Sequence, residues 1–117
     1  MGPADEPLPR PERSAGALRA ALAEVAPARL DEMRRTMDEA LALSVDTKSP
    51  TPVQAWLLRW ARDIEIARRP DLRLRHQHAQ DVLDGYENGV HDDEEAVDQA
   101  LAEISAVLDA AQRAVRG

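Results

Sequence analysis

Apolar residues recur every three or four positions along most of this chain, the spacing of a helix with one buried face. Ser14 is placed to cap a first helix that aligns Leu18, Leu22 and Val25. Pro27 breaks that helix and suits the first turn of the next. The second run repeats Leu30, Met33, Met37, Leu41 and Val45, and residues 46–50 read as a loop. Thr51-Pro52-Val53-Gln54 reads as a capping box with proline at the first helical position. The stripe that follows, Val53, Trp56, Leu57, Trp60, Ile64 and Ala67, is the clearest in the chain and stops at Pro70. A fourth helix is predicted from Asp71, aligning Leu72, Ala79, Val82, Leu83 and Tyr86, with Gly85 and Gly89 ending it. Asp92 and Glu95 form another capping box. The last helix then carries Val97, Leu101, Ile104, Leu108, Ala111 and Val115 in alternating steps of four and three, a short heptad seam. No strand alternation and no internal repeat is present. The pattern predicts an all-α fold, a small bundle of four to five helices with a long acidic C-terminal helix.

The first 13 residues differ. Pro3, Pro7, Pro9 and Pro11 stand among charges, and proline removes backbone donors, so residues 1–16 are expected to form a disordered tail. Residues 17–87 are then the helical core domain, and residues 88–117 the acidic amphipathic helix.

Composition narrows the classes further. The chain has 117 residues, enough for one domain. Leu, Ile and Val together make up about a fifth of it, near the boundary with disorder, and helix-favouring alanine supplies much of the remaining apolar content. Absence of cysteine excludes disulfides, thiolate metal sites and a cysteine nucleophile. No apolar run is long enough for a membrane span, and the N-terminus lacks a signal-peptide core, so a cytoplasmic location is expected. Lys48 is the only lysine beside 14 arginines, the codon bias of a high-GC bacterial genome. Each arginine is therefore discounted as a recognition signal.

Charge is segregated. Residues 1–50 carry 7 basic and 9 acidic side chains, residues 51–80 carry 6 and 3, and residues 81–117 carry 2 and 10. The chain totals −7. The basic middle, Arg59, Arg62, Arg68, Arg69, Arg73 and Arg75, flanks the Pro70 break as in a helix-turn-helix. Arg69, Arg73, Arg75, Gln77 and Gln80 are its candidate nucleic-acid contacts. Net negative charge and the lack of a hinge glycine weigh against DNA. Asp84, Asn88, Gly89 and Glu95 fall near calcium-loop positions, but Tyr86 stands where an oxygen ligand is required and His91 where an aliphatic residue is usual. Calcium is therefore not expected. His76 and His78 point to different helix faces, and with His91 they make no metal set. No nucleophile elbow or phosphate loop exists, so no catalytic residue, metal or cofactor is assigned. Trp56 and Trp60 fit either a core or a binding hot spot, and core is the expectation.

The run Val25-Ala26-Pro27-Ala28-Arg29-Leu30, then Asp38-Glu39-Ala40-Leu41, Ser49-Pro50-Thr51-Pro52-Val53, Trp60-Ala61 and Arg69-Pro70-Asp71, resembles an uncharacterised family of small acidic all-helical actinobacterial proteins. The resemblance covers about residues 17–83, and its motifs are mostly caps and core positions. It implies an antitoxin-like role. From the residues themselves, the expected function is a non-catalytic protein-binding module. Its seam, Val97, Leu101, Ile104 and Leu108, is expected to enter a groove on a basic protein such as a small toxin. Asp92, Asp93, Glu94 and Glu95 orient the encounter. The alternatives are a DNA-binding regulator using residues 59–80 and a homodimeric helical module.

Overall fold

A computed structural model describes residues 9–116. Among them lie five α-helices: α1 Ala15–Val25, α2 Leu30–Thr47, α3 Thr51–Arg68, α4 Pro70–Glu87 and α5 Glu94–Arg116. A 3₁₀ turn, Pro27–Arg29, joins α1 to α2. No strand occurs among the described residues, so the all-α expectation holds.

The helix boundaries follow from local chemistry. Ser14 caps α1 by accepting from the Ala17 amide at 3.3 Å. Thr51 proves to be the first residue of α3 and not its cap, because Ser49 Oγ already accepts from the Thr51 amide at 3.2 Å. At the end of α2, Lys48 sits in the left-handed region (φ 52°). The Ser49 amide then reaches back to the Ser44 carbonyl at 3.1 Å, a Schellman closure built without glycine. Gly89 (φ +77°) closes α4 in the same manner, with the Val90 amide on the Gly85 carbonyl at 2.7 Å. Gly85 itself lies inside the helix. Asp93, not Asp92, caps α5, accepting from the Ala96 amide at 3.0 Å.

Helix α3 is the central element, and every other helix packs on it. One buried cluster joins α1, α2 and α3 through Leu18, Leu22, Met33, Trp56, Trp60, Ala61 and Ile64. A second joins α3, α4 and α5 through Ile66, Leu72, Val107 and Ala111. Both tryptophans are core, as their spacing predicts; Trp60 is fully enclosed. Each donates its indole N–H to Thr36 Oγ1, at 3.0 Å from Trp56 and 3.3 Å from Trp60. The Trp60 ring also lies under two guanidiniums, Arg29 at 4.6 Å and Arg59 at 5.2 Å.

The expected boundaries at residues 17 and 88 can be set beside the helix bounds. Residues 1–8 of the predicted tail lie outside the described residues. Within the rest of it, Arg10 is docked on α3 and α1 already begins at Ala15. Nor is the C-terminal helix a separate arm, because α5 packs along both α3 and α4 and supplies three buried residues.

Candidate functional site

Helix α5 buries Ala100, Val107 and Ala111. These side chains are small, so the helix axis can come close to α3 and α4. The expected binding seam lies on the flank of that stripe. Val97, Ile104 and Leu108 are half-buried, and Leu101 is 53% exposed. Of the three buried residues, Ala111 belongs to the predicted heptad seam, whereas Ala100 and Val107 lie beside it. Asp92, Asp93, Glu94 and Glu95 are all exposed. Val90, 80% exposed, and the partly exposed Tyr86 stand at the same end of the α4–α5 hairpin. From residue 76 to residue 112 the chain has ten acids and no lysine or arginine.

The basic middle is largely paired within the molecule. Arg69 lies 2.7 Å from Asp71 and 3.5 Å from Glu65, and Arg75 is paired with Glu103 on α5. Arg59 reaches Glu32 at 2.9 Å, and Arg62 reaches Asp63 at 3.1 Å. Arg73 donates to the Ala67 carbonyl at 3.3 Å. Of the candidate nucleic-acid contacts, Arg73, Arg75, Gln77 and Gln80 are exposed on α4, while Arg69 is half-buried at its cap. A single residue, Arg69, separates α3 from α4.

The centre of this network is Glu65, which sequence reasoning did not single out. Its side chain is fully enclosed. Arg10 grips it with two bonds, Nε to Oε1 at 3.0 Å and Nη2 to Oε2 at 2.8 Å. Arg68 grips it with two more, at 2.7 and 3.0 Å. Burial pushes the Glu65 carboxyl up, but the hydrogen bonds and charges of Arg10 and Arg68 override it and hold the group at about 2. A sequence signal existed: an acid between Ile64 and Ile66 with arginines three and four residues on. Nothing in the sequence points to Arg10, which lies 55 positions away. Elsewhere, hydrogen bonding from Arg29 lowers the Glu32 carboxyl, and hydrogen bonding from Arg69 lowers that of Asp71.

The calcium-like segment folds as a helix end. Asp84 belongs to α4 and Asn88 is its cap. His91 Nε2 lies 2.8 Å from the Val82 carbonyl and donates to it, while His91 Nδ1 accepts from the Asp93 amide at 3.2 Å. His91 thus ties α4 to the start of α5. His76 lines a recess with Ile66 and Leu108, and His78 lines the α4–α5 groove, so the two are not brought together. Among the described residues, no group of three or more His, Asp or Glu is placed to hold a metal ion. No helix among them is long and apolar enough to cross a membrane.

No known protein-family model matches the chain, and neither a curated protein nor a solved structure matches it.

Proposed function

We propose that this protein is a non-catalytic binding module that meets a basic protein with the acidic end of its α4–α5 hairpin. The observation that carries the reading is the half-open seam on α5. Leu101 is exposed beside Val97 and Ile104, within a stretch of ten acids that has no lysine or arginine. Apolar contacts would supply affinity, and the acids would steer encounter and exclude acidic competitors. An antitoxin-like neutralisation of a small basic toxin in the bacterial cytoplasm is the most concrete form of this proposal. The nucleic-acid alternative is weaker, because Arg69 and Arg75 already spend their charge on carboxylates.

Affinity capture from the native host tests the reading, with wild type and Leu101→Asp compared as baits. A basic protein retained by wild type and lost with Leu101→Asp is the expected result. Neutralising Asp92, Asp93, Glu94 and Glu95 together should slow association and flatten its salt dependence, with little effect on dissociation. Retention of the same partner by all three baits would overturn the assignment of this face.

A further inference from the structure

Four helices meet around a recess of about 520 Å³. Val25 at the end of α1, Arg29 in the turn after it, the second half of α3, the first turns of α4 and Leu108 of α5 supply its walls. Small-molecule pockets run from ~300 to ~1,000 Å³. The apolar part of the lining is Val25, Ile66, Ala67 and Leu108. Ile66 is buried in the α3–α4–α5 core cluster and Leu108 packs against that cluster, so this wall is fixed by the core and not by a loop.

Charge selects the occupant. Arg29, Arg62 and Arg73 line the recess against one carboxylate, Asp63. That carboxylate is already shared, with Arg62 at 3.1 Å and Arg29 at 3.2 Å. Arg29 and Arg59 in turn share Glu32. Across the group, four guanidiniums (Arg29, Arg59, Arg62 and Arg73) meet two carboxylates (Glu32 and Asp63). Arg73 is the member left over. It is exposed, and its bond goes to the neutral Ala67 carbonyl at 3.3 Å. One turn further along α4, the half-buried His76 lines the recess with Gln77 and adds a ring and an amide donor. A local surplus of positive charge thus stands beside a fixed apolar wall, on a chain of net charge −7. A guanidinium presents paired donors that match a carboxylate, and the wall offers burial to a hydrocarbon body.

We propose that this recess binds a small organic acid. Arg73 and Arg62 hold its carboxylate, and its hydrocarbon body lies against Ile66, Ala67 and Leu108. The site is separate from the acidic end of the α4–α5 hairpin and does not depend on the partner proposed for that end.

Calorimetric titration of the full chain with octanoate tests this, beside butanoate, octanol and inorganic phosphate. Saturable binding of octanoate is the expected result. Affinity should rise from butanoate to octanoate by up to about fourfold per added methylene. Octanol, which lacks the charge, and phosphate, which lacks the hydrocarbon, should bind more weakly. Arg73→Gln should weaken octanoate by about fivefold. Arg75→Gln makes the same change in net charge outside the recess and should leave binding as it is. Arg73 is exposed, so the helical circular dichroism of Arg73→Gln should match wild type. Should that variant unfold instead, amide chemical shifts of the wild-type chain decide: octanoate shifts centred on Ile66, Arg73, His76 and Leu108 uphold the site, and shifts centred elsewhere overturn it. Absence of saturable octanoate binding, octanol or phosphate binding as tightly as octanoate, or a folded Arg73→Gln that binds like wild type also overturns it.

Discussion

Replacing Thr36 by valine removes one oxygen and strands two tryptophans. Thr36 Oγ1 is the acceptor for both indole N–H groups, and its own hydroxyl is satisfied by the Glu32 and Met33 carbonyls. Valine keeps the shape and offers no lone pair. Trp60 is fully enclosed and Trp56 is 6% exposed, so neither N–H has ready access to water. A buried donor left without a partner costs about 1–3 kcal/mol. The 3.0 Å bond from Trp56 is the better of the two and the 3.3 Å bond from Trp60 the longer. The pair together then costs about 2–5 kcal/mol. For a domain of this length each kcal/mol moves the melting temperature by roughly 4 °C, so Thr36→Val should melt about 8–20 °C below wild type. Thr36→Ser keeps the acceptor and should recover most of the loss. The assay is thermal melting followed by circular dichroism, together with tryptophan emission. Because the chain has two tryptophans and one tyrosine, emission reports this site. If Thr36→Val and Thr36→Ser both melt within a degree or two of wild type, the shared-acceptor account of the core is wrong.

The Glu65 cage predicts acid sensitivity. Its carboxyl titrates at about 2 in the folded chain against an ordinary 4.5, so its contribution is complete above the ordinary value and is lost as pH falls toward 2. The loss is on the order of 3 kcal/mol and should be visible in urea melts between neutral and acid pH; Glu65→Gln should remove that part of the pH dependence. Deleting residues 92–117 takes Ala100, Val107 and Ala111 out of the core, so the remainder should lose its cooperative thermal transition. A sharp melt of the truncated chain would show that α5 is dispensable for folding.

Much of the fold was legible because helix signals are local. Pro27, Pro52, Pro70 and the cap at Ser14 mark element starts by fixed φ or by a side-chain acceptor, and the Trp56–Trp60 stripe marks the core by period alone. What the pattern missed was decided between elements. On α5 the heptad template includes Ala111, which is buried, but the contact with α3 and α4 also buries Ala100 and Val107, which lie outside the template, and leaves Leu101 of the seam exposed. At the α2 end the loop over residues 46–50 was legible, but not which residue turns the chain, because Lys48 takes a conformation that a sequence reader reserves for glycine or asparagine. The Arg10–Glu65 contact joins residues 55 positions apart, beyond any periodicity. It also shows why a proline-rich composition could be read as wholly solvated when one guanidinium in it is structural.

The same contacts show how much of the arginine surplus in the middle of the chain is paired within the molecule. Between residues 51 and 80 the sequence carries six arginines against three acids, a surplus that invites phosphate. In three dimensions the acids that answer it come from elsewhere: Glu32 from α2 for Arg59 and Glu103 from α5 for Arg75. Glu65 inverts the relation, since it draws Arg10 in from outside the segment as well as Arg68 and Arg69 from within it. Between Arg75 and Arg113 the chain has no lysine or arginine, while Asp92, Asp93, Glu94 and Glu95 at the α4–α5 end are all exposed. The field that reaches solvent is therefore set by the acids of α5 more than by the arginines of α3 and α4. That asymmetry, together with the exposed Leu101 beside it, is why a basic protein is the partner proposed for this face.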